Sequence, residues 1–150
     1  MKLLLNNIKD TIKLGKKLAE LSKNGDIFCL KGALGTGKTT LARAFIKYLT
    51  NNDKVLSPTF PLLLTYEYKN NIIWHYDMYR LENTEDIWNL SMEEALNDGI
   101  ILIEWPEIIE KLLPITKIDI IIKDINHNAR SVEISANKEF KQKITGFQTF

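Results

Sequence analysis

The sequence predicts an α/β fold, a mostly parallel sheet packed between helices with an antiparallel hairpin inserted. Three observations carry that reading. Short apolar runs alternate with stretches of helical periodicity. A glycine-rich segment, Gly32 to Gly37, joins one apolar run directly to a helix. Two β-rich runs are separated only by Lys69-Asn70-Asn71, the spacing and turn chemistry of a hairpin. The 150 residues suit one domain, 1–150, with no internal repeat, low-complexity tract or Pro/Gly/Ser linker in which a boundary would sit. A fold of this length hides roughly 70% of the surface its unfolded chain exposes, so one core suffices without disulfides or structural metal.

Taken in order, Ile8, Ile12, Leu18 and Leu21 recur at near-helical spacing through a Lys-rich stretch and predict an amphipathic helix over 7–23. Residues 26–31 read as a short buried strand, and Cys29 within it as a reduced, packed thiol. After the loop at 32–37, a helix over 38–49 sets Leu41, Phe45 and Leu49 on one face and ends at the turn signal Asn51-Asn52-Asp53. The hairpin strands are 62–68 and 72–76. Asn83 and Ser91 read as helix caps, Ser91-Met92-Glu93-Glu94 as a capping box and Gly99 as a C′ glycine, so short helices fill 84–97. Residues 100–103 form an apolar strand stopped by Glu104, and Pro106 with Glu107 opens a helix. Strands at 118–122 and 131–135 flank the turn Asn126-His127-Asn128.

Composition narrows the function. With 45% hydrophobic and 26% charged residues the chain is neither disordered nor fibrous. One cysteine and two histidines cannot build a zinc site alone. No stretch approaches 18 apolar residues and lysines interrupt the N-terminus, so a cytoplasmic protein without membrane contact is expected. The net charge is +1, yet residues 1–50 hold ten basic and three acidic side chains. That excess reads as a solvated lysine-rich helix or as a face turned to polyanions. Only three arginines, Arg43, Arg80 and Arg130, argue against a reader of base sequence.

Gly32-Ala33-Leu34-Gly35-Thr36-Gly37-Lys38-Thr39 satisfies the phosphate-binding pattern G-x-x-x-x-G-K-[ST], after a strand and opening a helix. At this chain's residue frequencies the four fixed positions arise by chance in roughly 0.4% of such sequences, so the match is strong before context is added. It makes the expected fold a three-layer sandwich of the P-loop NTPase kind. In such a loop, backbone N–H groups turn around the β-phosphate, Lys38 reaches the β/γ oxygens and the Thr39 hydroxyl meets Mg²⁺.

A bound nucleotide also needs a carboxylate near its metal. Ile72-Ile73-Trp74-His75-Tyr76-Asp77 and Ile100-Ile101-Leu102-Ile103-Glu104 both run apolar and end in an acid, the arrangement of a Walker B strand. Either acid is a candidate ligand of metal or water, although an acid after a strand is most often a solvated loop residue. Ser57-Pro58-Thr59-Phe60 reads as a turn or as a switch bringing Thr59 towards the γ-phosphate. His75 reads as a packed or hydrogen-bonded histidine rather than a general base, Trp88 and Trp105 as core or interface, and His127 as a turn residue. Thr116-Lys117-Ile118-Asp119 matches the guanine-recognition pattern [NT]-K-x-D, a match that arises by chance in roughly one such chain in seven. Its apolar run follows the Asp instead of preceding the Thr, and D-x-x-G is absent, so ATP is favoured over GTP.

With the loop, Ser57-Pro58-Thr59-Phe60, His75-Tyr76-Asp77-Met78-Tyr79-Arg80-Leu81 and Ile103-Glu104-Trp105-Pro106-Glu107 in this order, the chain resembles the TsaE (YjeE) family over roughly residues 8–135. That family comprises small bacterial P-loop ATPases needed for threonylcarbamoyl modification of adenosine 37 in tRNA (t6A). The resemblance implies a cofactor of ATP with Mg²⁺, the phosphates bound by Gly32 and by Leu34, Gly35, Thr36, Gly37, Lys38, Thr39 and Thr40. It further implies Mg²⁺ at Thr39, a switch at Thr59, metal or water support by Asp77, and Glu104 as the Walker B-like acid. Trp105 would lie beside the nucleotide, and Thr11 near the adenine. Lys38, Asp77 and Glu104 are the implied catalytic set. The implied partner is the TsaB–TsaD heterodimer, with tRNA met indirectly or within the complex and hydrolysis resetting that complex. Two departures stand out: Ala33 where an acid is usual, and Pro61 where Thr is common.

A slow, partner-stimulated ATPase is therefore expected. A small-metabolite kinase would close an arginine-bearing lid, for which three scattered arginines are a poor supply. A non-hydrolysing nucleotide-gated adaptor would bind ATP through Lys38 but keep its function without Asp77 or Glu104.

Overall fold

The computed structural model describes residues 1–146. Its strands are β1 (Lys2–Leu5), β2 (Ile27–Lys31), β3 (Leu63–Tyr68), β4 (Asn71–Asp77), β5 (Ile100–Glu104), β6 (Ile118–Asp124) and β7 (Arg130–Ser135); its helices are α1 (Ile8–Leu21), α2 (Lys38–Thr50), α3 (Glu85–Trp88), α4 (Met92–Asn97) and α5 (Lys138–Thr145). All seven strands form one sheet in the order β1-β7-β6-β2-β5-β4-β3. The central run β6-β2-β5-β4 is parallel, as expected of an α/β fold. The flanking pairs β3/β4, β6/β7 and β1/β7 are antiparallel.

Strand alternation builds the two faces. Along β2, Phe28 and Leu30 point into a cluster with Leu14 and Leu18 of α1, Leu41 and Phe45 of α2, and Phe140 of α5. Ile27 and Cys29 point the other way, into a cluster with Ile87, Met92 and Ala95 of α3 and α4. A strand covered on both faces must be apolar at every position, which is why 27–30 reads as an unbroken run. Helices α1 and α2 pack closely because Gly15 has no side chain: a Cβ there would lie 2.5 Å from the Leu41 carbonyl oxygen.

Several local expectations change. The hairpin turn is tighter than three residues, because Asn71 joins β4 and only Lys69 and Asn70 turn, with φ +45° and +61°. Asn83 does accept from the Asp86 N–H at 3.1 Å. Ser91, however, sits at φ +60° with no cap hydrogen bond, so the capping box does not form. Pro106 opens two short 3₁₀ turns, Pro106–Ile108 and Glu110–Leu112, instead of an α-helix. Sequence reading missed β1, whose four residues are too short for periodicity, and α5, capped by Asn137 accepting from Phe140 N–H. No helix among the described residues is long and apolar enough to cross a membrane.

Candidate functional site

Parallel strands place their C-terminal ends on one edge, and chemistry gathers there. The loop after β2 carries Gly35 at φ +77° and Gly37 at φ +107°, conformations that side chains resist. Gly32, itself at φ +149°, is fixed by close approach as well: a Cβ would sit 2.4 Å from the Ile122 carbonyl oxygen, so β6 lies against the loop's start. Thr36 turns inward and its hydroxyl donates to Ala33 O at 2.9 Å, bracing the loop. Lys38 Nζ donates to Gly32 O at 2.6 Å and Ala33 O at 2.8 Å and lies 4.2 Å from the Trp105 ring centroid. Burial pushes its pKa below the ordinary lysine value, against the pull of Glu104, Glu107 and Asp77.

The two strand-end acids meet. Asp77 and Glu104 are register partners at the ends of β4 and β5, and both are buried. Thr39, in the first turn of α2, donates its hydroxyl to Glu104 Oε1 at 2.6 Å. His75, also on β4, places Nε2 2.7 Å from Glu104 Oε2. Thr59 donates to Asp77 Oδ2 at 3.0 Å, while Asp77 Oδ1 accepts the Tyr79 N–H at 2.9 Å. Arg80 clamps the segment by donating to Thr59 O and Phe60 O.

Lys38, Thr39, Thr59, Asp77 and Glu104 line a cleft of about 250 Å³ together with Leu34, Gly35, Gly37, Thr40, Tyr79 and Trp105. A second cleft, about 330 Å³, shares Gly35, Gly37 and Thr40 and adds Thr11, Thr36, Asn7, Ile8, His127, Asn128 and Arg130. The structure thus brings every residue expected to bind the phosphates, the metal or the nucleoside to one of two joined clefts except Gly32, which lines neither and serves as a close-packing position. Lys117 and Asp119 of the guanine-like pattern line neither cleft. They pair with each other at 2.9 Å and join Lys31 and Glu110 in an ion-pair cluster beside the second 3₁₀ turn.

Arg130 and Tyr79 line the clefts without having been singled out as site residues from the sequence. Arg130 donates to Thr36 O at 3.2 Å and pairs with Asp124 at 2.8 Å, coupling the β6/β7 turn to the loop. Tyr79 stacks obliquely on Trp105, ring centroids 4.7 Å apart. Trp105, which its residue type suggests as core or interface and the resemblance sets beside the nucleotide, walls the cleft at φ +58°, a conformation that a bulky residue adopts at a cost of order 1–3 kcal/mol and that clusters at functional sites. Arg130 carried no spacing signal, since its partner is a backbone carbonyl 94 residues away.

No group of three or more His, Cys, Asp or Glu side chains that could hold a metal exists among the described residues. A cation here would rest on one or two carboxylates and a hydroxyl and keep other oxygen ligands, the mode that suits Mg²⁺.

The family model described as "Threonylcarbamoyl adenosine biosynthesis protein TsaE" matches residues 5–132. The chain is 46% identical over 136 residues to the tRNA threonylcarbamoyladenosine biosynthesis protein TsaE of Rickettsia felis, covering 90% of this chain and 80% of that one. It is 33% identical over 131 residues to the protein of the same name from Bacillus subtilis, covering 87% and 82%. The crystal structure of the Bacillus subtilis protein YdiB superposes with a TM-score of 0.78 over 97% of this chain and 91% of that one; at 24% identity this likeness concerns the fold. On a family match spanning most of its length and relatives at this identity, the chain belongs to the TsaE family of tRNA threonylcarbamoyladenosine biosynthesis proteins.

Proposed function

We propose that the protein binds ATP with Mg²⁺ and hydrolyses it slowly by itself, in the cytoplasm, as the nucleotide-driven component of t6A formation acting with the TsaB–TsaD heterodimer. One observation carries the reading. The loop's Lys38 and Thr39 face two carboxylates, Asp77 and Glu104, that the sheet register sets side by side. The residues present fit the group: the glycine-bent loop opens onto the start of α2, an anion-receptive end, and Thr39 spends its only proton on Glu104, which leaves its lone pairs for a cation.

Mg²⁺, when bound, would neutralise charge on the phosphate oxygens. The chain's own residues do the rest. The loop and Lys38 hold the phosphates once Lys38 exchanges its loop carbonyls for them. Glu104 orients Thr39. Asp77 holds Thr59 and, with it, the segment that Arg80 clamps. Thr11 and Asn128 wall the neighbouring cleft, where the nucleoside would lie. Phosphoryl transfer rests on positioning and charge stabilisation, and Arg80 and Arg130 are both occupied by backbone carbonyls. An isolated protein is therefore slow until a partner completes the site.

The test is phosphate release from ATP–Mg²⁺ with and without the TsaB–TsaD heterodimer, for wild type, Lys38→Ala and Glu104→Ala. Stimulated release that either substitution reduces at least 100-fold is expected. Binding without stimulation would favour the adaptor or a kinase awaiting its substrate.

A further inference from the structure

His75 is the one fully buried titratable side chain at the site that the nucleotide reading leaves without a task. It lies two residues before Asp77 on β4, so both face the same side of the sheet. Its Nε2 is 2.7 Å from Glu104 Oε2, and its Nδ1 has no hydrogen-bond partner among the described residues. A ring needed only for packing would be apolar, because an unpaired buried nitrogen is costly. A carboxylate oxygen only accepts, so Nε2 carries a proton and donates it to Glu104.

We propose that His75 is a positioning residue: its Nε2–H holds Glu104 so that Oε1 takes the Thr39 proton and the Thr39 lone pairs face the cleft. The chain His75–Glu104–Thr39 then runs from the sheet interior to the cation position. Each link has one geometry, since Glu104 has two oxygens and each is engaged by a different donor. This inference rests on the nucleotide reading, and it deepens it by assigning the cation's affinity to a residue that does not touch the cation.

The test compares His75→Gln, whose amide nitrogen reaches the place of Nε2, with His75→Asn, whose amide nitrogen reaches only that of Nδ1, and with His75→Leu. Binding of a fluorescent ATP analogue is titrated in EDTA and across Mg²⁺ concentrations. Asn and Leu variants should need about 10- to 100-fold more Mg²⁺ for half-maximal enhancement, with affinity in EDTA unchanged, and Gln should restore the wild-type dependence. Equal behaviour of Gln and Asn, or a wild-type dependence in Leu, overturns the proposal. So does a ¹⁵N spectrum of the nucleotide-free protein showing His75 Nε2 without a proton. If wild type binds no nucleotide at all, the nucleotide reading fails, and the ring's tautomer still decides whether His75 holds Glu104.

Discussion

Gly15 and Cys29 show how single residues are fixed by what surrounds them. Replacing Gly15 by Ala would ordinarily favour a helix by about 1 kcal/mol. Here the new Cβ meets the Leu41 carbonyl at 2.5 Å and Ala44 Cβ at 2.9 Å, neither of which can swing aside. Gly15→Ala should therefore destabilise by about 1–3 kcal/mol in urea titration, the opposite sign to its propensity. Cys29 is fully buried, and burial pushes its thiol up to about 12. An ordinary thiol labels readily at pH 8; Cys29 should resist a thiol reagent there in the native protein and react fully once urea unfolds it. The loop residues 32–39 were legible because their spacing encodes their chemistry. His75 was legible only as a buried, hydrogen-bonded ring, since its partner Glu104 lies 29 residues on and only the parallel pairing of β4 with β5 brings them together.

Among the elements, those with a long periodic pattern or a strong turn were readable, and the rest depended on packing. Helices α1 and α2 and strands β2 and β5 lie within a few residues of their expected bounds. Helix α5 is short and largely polar, so its apolar residues Phe140 and Ile144 were too few to show a period. They nevertheless close the core: Phe140 lies edge-on to Phe28 with centroids 6.0 Å apart, and Phe28 meets Phe45 at 5.1 Å. Phe140→Ala should cost about 3 kcal/mol in urea titration, which would mark α5 as part of the folded unit. A loss below about 0.5 kcal/mol would make it a surface appendage. Ser91 failed as a cap because Met92 and Ala95 are drawn into the core beneath α4, and burying them leaves Ser91 in a left-handed conformation in which its side chain makes no cap hydrogen bond.

For the whole molecule, the two joined clefts bridge elements far apart in sequence, from α1 through the loop to β4, β5 and the β6/β7 turn. A ligand filling them binds only the folded state. ATP–Mg²⁺ at a hundred times its dissociation constant should raise unfolding free energy by about 2.7 kcal/mol, read as an upward shift in Tm. Lys38→Ala should show no such shift. The sheet order has another outcome. Met1 donates its amino group to Ile134 O, 133 residues away in sequence, and among the described strands β1 pairs with β7 alone. A ribosome adding about 5–20 residues per second keeps β1 waiting roughly 10 s for its partner strand. Through that interval Leu3, Leu4 and Leu5 travel unpaired on the nascent chain, so holding them off other chains falls to whatever meets the polypeptide at the tunnel exit.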